Sequence, residues 1–202
     1  MKQLIFPLNT GPDYSAEAFV PTTGSAAVRA ALAVLKPSSI PNILNGLVVV
    51  GAPASGKTHL AEMWRADHPA GGVVDGLESL DAAAQTEVFH TFNRLKEQGG
   101  ALLVTSRVPV QELPLLADLK SRLLTLNHVY LMPPDDAELA QLVAKWAAER
   151  QVVLPPAVTT YLLTRAERSP AALRTLVAAL DELSLEEKRG VSVGLVKKVL
   201  GS

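Results

Sequence analysis

The stretch NGLVVVGAPASGKTHL, residues 45–60, constrains the fold more than any other part of this 202-residue chain. A wholly apolar, β-branched run bounded by glycines reads as a strand buried on both faces, the pattern of a parallel sheet covered by helices. The loop that follows, Gly51, Ala52, Pro53, Ala54, Ser55, Gly56, Lys57 and Thr58, matches the phosphate-loop pattern and leads directly into a helical stretch. Its glycines let backbone N–H groups curl around phosphate oxygens, and the helix N-terminus adds its positive dipole end. Lys57 is expected on the β- and γ-phosphates and the Thr58 hydroxyl on Mg2+. Strand, loop and helix in this order predict a nucleotide site.

Such a site needs an acid at the end of a second buried strand to hold the metal's water shell. GGVVDG supplies Asp75. Only 75 − 58 − 1 = 16 residues separate it from Thr58, room for one helix and one strand. Gly76 follows, at the position where P-loop ATPases of the AAA+ type place a second acid that orients the attacking water. Nucleotide binding is therefore expected intact, and the chain's own ATPase activity weak or absent. The short spacing also predicts a sheet that has lost an edge strand with its helix, leaving four strands around LVVV and a new edge at residues 72–75. In the alternative, GGVVD is itself that edge strand, the acid-bearing strand is gone, and Asp75 is not a metal-water ligand.

The rest of the chain divides in two. DAAAQTEVFHTFNRLKEQ (81–98) carries Val88, Phe89, Phe92 and Leu95 at helical spacing, and ALLVTS and HVYLM read as further buried strands. Ser25 starts a helix that ends by Lys36. Beyond Pro134 only helices are expected. Asp135 and Glu138 stand in capping-box relation, Pro155 and Pro156 start a second helix, Ser169 and Pro170 a third, and SVGLVKKVL makes a fourth. The expectation is an α/β domain over 11–133 and a small helical domain over 134–202, preceded by a separate peptide, 1–10.

Composition narrows the function classes. Hydrophobic residues make up 48% and charged residues 19%, which excludes general disorder. Nineteen Lys+Arg against 20 Asp+Glu leave a net charge of −1, so nucleic-acid binding by bulk charge is not expected. There is no cysteine, and the four histidines lack metal-ligand spacing. No apolar run approaches the ~20 residues of a membrane span, and the N-terminus fails as a signal peptide, so a cytoplasmic protein without membrane contact is expected.

Three further stretches, ALLVTSR (101–107), DLKSRL (118–123) and SPAALRTLVAALDEL (169–183), resemble the sensor-1 strand, arginine-finger box and sensor-2 helix of the bacterial replication initiator DnaA and its relatives. The resemblance runs in order from about Phe19 to Leu200. It implies an AAA+ P-loop core with a helical lid, holding ADP or ATP with Mg2+. Thr105 and Ser106 fall at the sensor-1 position, where a polar group reads the γ-phosphate. Arg122 falls at the finger that reaches a neighbouring subunit's nucleotide, and Arg174 at the lid arginine on the phosphates. Phe19 and Val20 correspond to a stretch lining the adenine. Read from the residues alone, Arg122 is equally a helix C-terminal cation and Arg174 a solvated lid residue.

No helix-turn-helix DNA-binding domain is expected after the lid, and in this the chain resembles the Hda family, which inactivates DnaA after replication has begun. In that family an N-terminal peptide of the form Q-L-x-L-P-L binds the sliding clamp, the β subunit of DNA polymerase III. Gln3, Leu4, Ile5, Phe6, Pro7 and Leu8 fit it, with Phe6 in place of the second leucine. An extended, proline-stiffened peptide presents Leu4, Phe6 and Leu8 to hydrophobic pockets, and the Gln3 amide can hydrogen-bond in both directions. The resemblance implies the clamp and DnaA as partners, promotion of hydrolysis of DnaA-bound ATP by Arg122, and no direct nucleic-acid binding; a homodimer is left open. A P-loop phosphotransferase and a helicase-loader-like AAA+ adaptor are the alternatives.

Overall fold

The computed structural model describes residues 19–38 and 40–201. The expected clamp-binding peptide, Gln3 to Leu8, lies outside the described residues. After a 3-10 turn at Thr23–Ser25, the chain runs through helix α1 (Ala26–Val34), strand β1 (Asn45–Gly51), α2 (Lys57–Asp67) and β2 (Gly72–Val74). Then follow α3 (Ala82–Glu97), β3 (Ala101–Ser106), α4 (Ala117–Leu123) and β4 (Asn127–Leu131). Four helices end it: α5 (Asp136–Glu149), α6 (Pro156–Arg165), α7 (Pro170–Glu187) and α8 (Val193–Leu200).

The sheet has four parallel strands in the order β2-β3-β1-β4. The LVVV strand lies inside it, and the strand that leads to Asp75 forms one edge, as the short spacing predicts. Alternation along β1 builds both faces. Leu47 and Val49 pack with Leu60, Ala61 and Trp64 of α2 and Val28 of α1. Val48 and Val50 face the other way, into Val88, Phe92 and Leu95 of α3 and Leu119 and Leu123 of α4. Each such buried side chain contributes about 1.5–3 kcal/mol, so a strand apolar at every position stays put only with helices on both sides. The lid has its own core of Leu139, Val143, Trp146, Leu162, Leu173, Val177, Leu180 and Leu195.

Caps account for several helix starts. Asp81 accepts the Ala84 N–H at the head of α3, and Ser169 accepts the Ala172 N–H with Pro170 in the first turn of α7. Ser25 precedes α1 without capping it by its side chain. Thr22 does that work for the preceding turn, in a reciprocal bond with Ser25.

Asp135 and Glu138 form the expected capping box on α5, and Glu138 has a second task. Its Oε2 accepts the Asp135 N–H at 2.9 Å, while Oε1 accepts the N–H of Thr23 at the entrance to the α/β core. The Met132 N–H also reaches the Gly24 carbonyl, at 3.4 Å. Glu138 thus latches the lid to the core across the hinge at 132–135. The N–H groups of Thr23 and Asp135 hold its carboxyl below the usual carboxylate range. A carboxyl so depressed adds stability above its ordinary pKa and loses it as pH falls through the folded value. The latch is therefore expected to be closed at neutral pH and to open in acid. Thermal unfolding at about pH 7 and about pH 3.5 checks this: wild type should lose more of its midpoint on acidification than Glu138→Gln.

Candidate nucleotide site

The phosphate loop leaves the carboxyl end of β1 at the crevice where ligands bind in open α/β sheets. Gly56, with φ +99, is the left-handed residue from which α2 starts, a backbone that suits glycine and aims the helix N-terminus at the loop's hollow. Lys57 is buried, and its Nζ donates to the carbonyls of Gly51 at 2.6 Å and Ala52 at 2.8 Å. Burial pushes the Lys57 ammonium below its ordinary pKa; Glu78 opposes that shift, Arg107 adds to it, and Asp75 opposes it less than Glu78 does. All three charges therefore lie within electrostatic reach of the loop lysine. The Ser55 hydroxyl is buried in the loop without a hydrogen-bond partner among the described residues. An orphaned buried donor beside a lysine bonded back onto carbonyls is what a loop made for phosphate oxygens presents.

Asp75 comes to the site. Its Oδ2 accepts from the Thr58 hydroxyl at 2.8 Å, and its Oδ1 accepts from the Thr105 hydroxyl, which in turn accepts the Gly76 N–H at 2.9 Å. This relay joins the ends of α2, β2 and β3 and puts the Asp75 carboxylate beside the Thr58 hydroxyl. Gly76 has φ +74. A side chain there would be strained by about 1–2 kcal/mol, so the turn that delivers the Gly76 N–H to Thr105 is poorly suited to a second acid. Hydroxyl plus carboxylate is a hard-oxygen pair that fits Mg2+. No cluster of three or more His, Cys, Asp or Glu able to hold a metal exists among the described residues. The ion's remaining ligands would be phosphate and water.

The other expected site residues divide. Ser106 is fully buried, and its hydroxyl closes on Val108, donating to the carbonyl at 2.7 Å and accepting the N–H at 3.3 Å. It does not face the phosphates. Phe19 packs against the core face that carries α2, with its ring edge-to-face on His59 at 5.3 Å, one residue past Thr58. Val20 packs on the lid core. The segment 19–20 thus stands between core and lid beside the phosphate loop. Arg174 is half-buried on α7, next to Leu173 in the lid core.

Arg122 is in the last turn of α4, stacked on α3 of its own chain. Its guanidinium lies 4.5 Å from the Phe89 ring centroid and 5.8 Å from that of Phe92, and Nη1 donates to Asn93 Oδ1 at 2.6 Å. The pair that sequence reasoning missed is Glu78 with Arg107. Its available signals were an acid two residues past the Gly76 turn and the arginine that closes ALLVTSR.

Residues 135–200 match the family described as "Hda, lid domain". Over the whole chain the fold is similar to domain III of the Thermotoga maritima replication initiation protein DnaA, with a TM-score of 0.77 at 22% identity, covering 95% of this chain and 97% of that one. AMPPCP-bound DnaA from Aquifex aeolicus matches with a TM-score of 0.69 at 19% identity, covering 88% and 69%. A point mutant of Thermotoga maritima RuvB gives 0.68 at 16% identity, covering 94% and 72%. The architecture is that of DnaA domain III, a four-stranded parallel sheet with helices on both faces followed by four helices. No helix of the described residues is long and apolar enough to cross a membrane.

Proposed function

We propose that this chain, which carries an Hda-type lid on an AAA+ core with the fold of DnaA domain III, is a nucleotide-bound regulator of replication initiation. Tethered to the sliding clamp through Gln3–Leu8, it offers Arg122 to ATP-loaded DnaA and promotes hydrolysis there. The observation that carries this reading is the lid: the family match over 135–200 falls on the four helices that follow a P-loop core.

The site supports binding of adenine nucleotide, as in the AMPPCP-bound DnaA structure it is similar to. Lys57, Ser55 and the N-terminus of α2 take the phosphates, and Phe19 and Val20 line the base. Thr58 and Asp75 would hold Mg2+, whose contribution is to neutralise phosphate charge. Because the chemistry takes place on the partner's nucleotide, a glycine at position 76 does not impair the function. Arginine supplied in trans stabilises charge developing on the transferred phosphoryl group.

Clamp binding tests the tether. Three apolar anchors at about 1.5–3 kcal/mol each, less ordering costs, give an affinity no tighter than about micromolar. Changing Gln3, Leu4 and Phe6 together to alanine is expected to abolish measurable binding in a titration of sliding clamp. Equal binding by wild type and variant would remove the tether from this reading.

A further inference from the structure

Both hydroxyls at the expected sensor-1 position are engaged elsewhere. Thr105 is held between Asp75 and the Gly76 N–H, and Ser106 is turned into its own loop. The next residue, Arg107, extends from the carboxyl end of β3 on the same side of the sheet as the phosphate loop. Glu78 grips it twice: Oε2 accepts the Arg107 N–H at 3.0 Å, and Oε1 lies 2.9 Å from Nε. The glutamate side chain is 18% exposed and the arginine 61%. Glu78 is therefore fixed in the wall, and the guanidinium stands at the mouth.

We propose that Arg107, held by Glu78, is the residue of this site that reads the γ-phosphate, so that the chain tells nucleoside triphosphate from diphosphate by an exchange of ion-pair partner. Lys57, the β- and γ-phosphate ligand of the loop, has Glu78 and Arg107 as electrostatic neighbours. Ser106 pairs with Val50 in the sheet, so Arg107 leaves β3 beside Gly51, where the phosphate loop begins, whereas Asp75 serves Thr58.

A γ-phosphate brings more negative charge than one carboxylate, and a guanidinium offers five donors in a planar fork suited to phosphate oxygens. Its arrival draws the Arg107 head away from Oε1. Glu78 keeps the Arg107 N–H on Oε2, so the half-buried acid is not left without a donor when the head departs. A diphosphate ends short of this point and leaves the pair closed.

The inference rests on the reading of a nucleotide site, and equilibrium titrations of the full chain with AMPPCP and with ADP, each with Mg2+, separate the two. Arg107→Ala is expected to weaken AMPPCP about 10- to 30-fold while ADP stays within about threefold. Arg107→Lys should recover part of the loss, because the charge returns without the fork. Glu78→Gln, which loosens the hold, should shift preference further toward AMPPCP. If Arg107→Ala leaves the AMPPCP-to-ADP ratio unchanged, or weakens both alike, Arg107 does not read the γ-phosphate even though the site binds nucleotide. If wild type binds neither, the nucleotide reading fails and this inference with it.

Discussion

Arg122→Ala is expected to lose about a thousandfold or more of the stimulation of DnaA-bound ATP hydrolysis while remaining folded, nucleotide-bound and clamp-bound. The structure explains why fold and function should separate at this position. Arg122 contributes a stack on Phe89 and one hydrogen bond to Asn93 on a half-exposed surface, together on the order of 1–2 kcal/mol of local stability. Those contacts are made within the chain, so a finger that works in trans must first leave them. If Arg122 is such a finger, Phe89 and Asn93 hold it against its own chain until a partner draws it out. The assay is the ATP-to-ADP ratio on DnaA in the presence of clamp. A wild-type rate from Arg122→Ala would sink the mechanism, and Asn93→Ala, which releases the guanidinium, should stimulate at least as well as wild type.

Lys57→Ala should lose nucleotide affinity by about two to four orders of magnitude. Charged hydrogen bonds to phosphate are worth about 1.5–3 kcal/mol each, and on the proposed reading Lys57 makes two of them. Its ammonium is buried and rests on two backbone carbonyls, which phosphate oxygens would replace as partners. Desolvation of that charge is already borne by the folded protein, as the lowered pKa records. Removing it should therefore leave the thermal midpoint without nucleotide nearly unchanged and abolish the shift that ADP produces. An unaltered ADP-induced shift would mean that the loop is not the nucleotide site.

The parts legible in the sequence were those encoded by neighbours along the chain. The β1–loop–α2 run, the Asp135–Glu138 box and the Ser169–Pro170 start each depend on residues within a few positions of one another, and each is found in place. Asp75 was legible because a strand end is a local property. What stayed hidden depends on register between distant segments. The Glu78–Arg107 grip needs the turn after Gly76 to lie beside the end of β3, 29 residues on. The stack of Arg122 on Phe89 needs the faces of α3 and α4 to meet. The turn at Ser106 stayed hidden for a related reason: alternation along β3 does not reveal that its hydroxyl closes on Val108.

Phe19 and Val20 are adjacent in the chain yet belong to different cores, one under the sheet and the other in the lid. Consecutive Cα atoms are about 3.8 Å apart and that distance cannot stretch. Besides the hinge at 132–135 and the Glu138 latch, the two domains are therefore joined by a single inextensible link beside the phosphate loop. A tilt of the lid larger than a side chain's play must pull either Phe19 from its contact with His59 or Val20 from the lid. The lid's swing is bounded, and its limit is set beside the phosphate loop, where Phe19 meets His59.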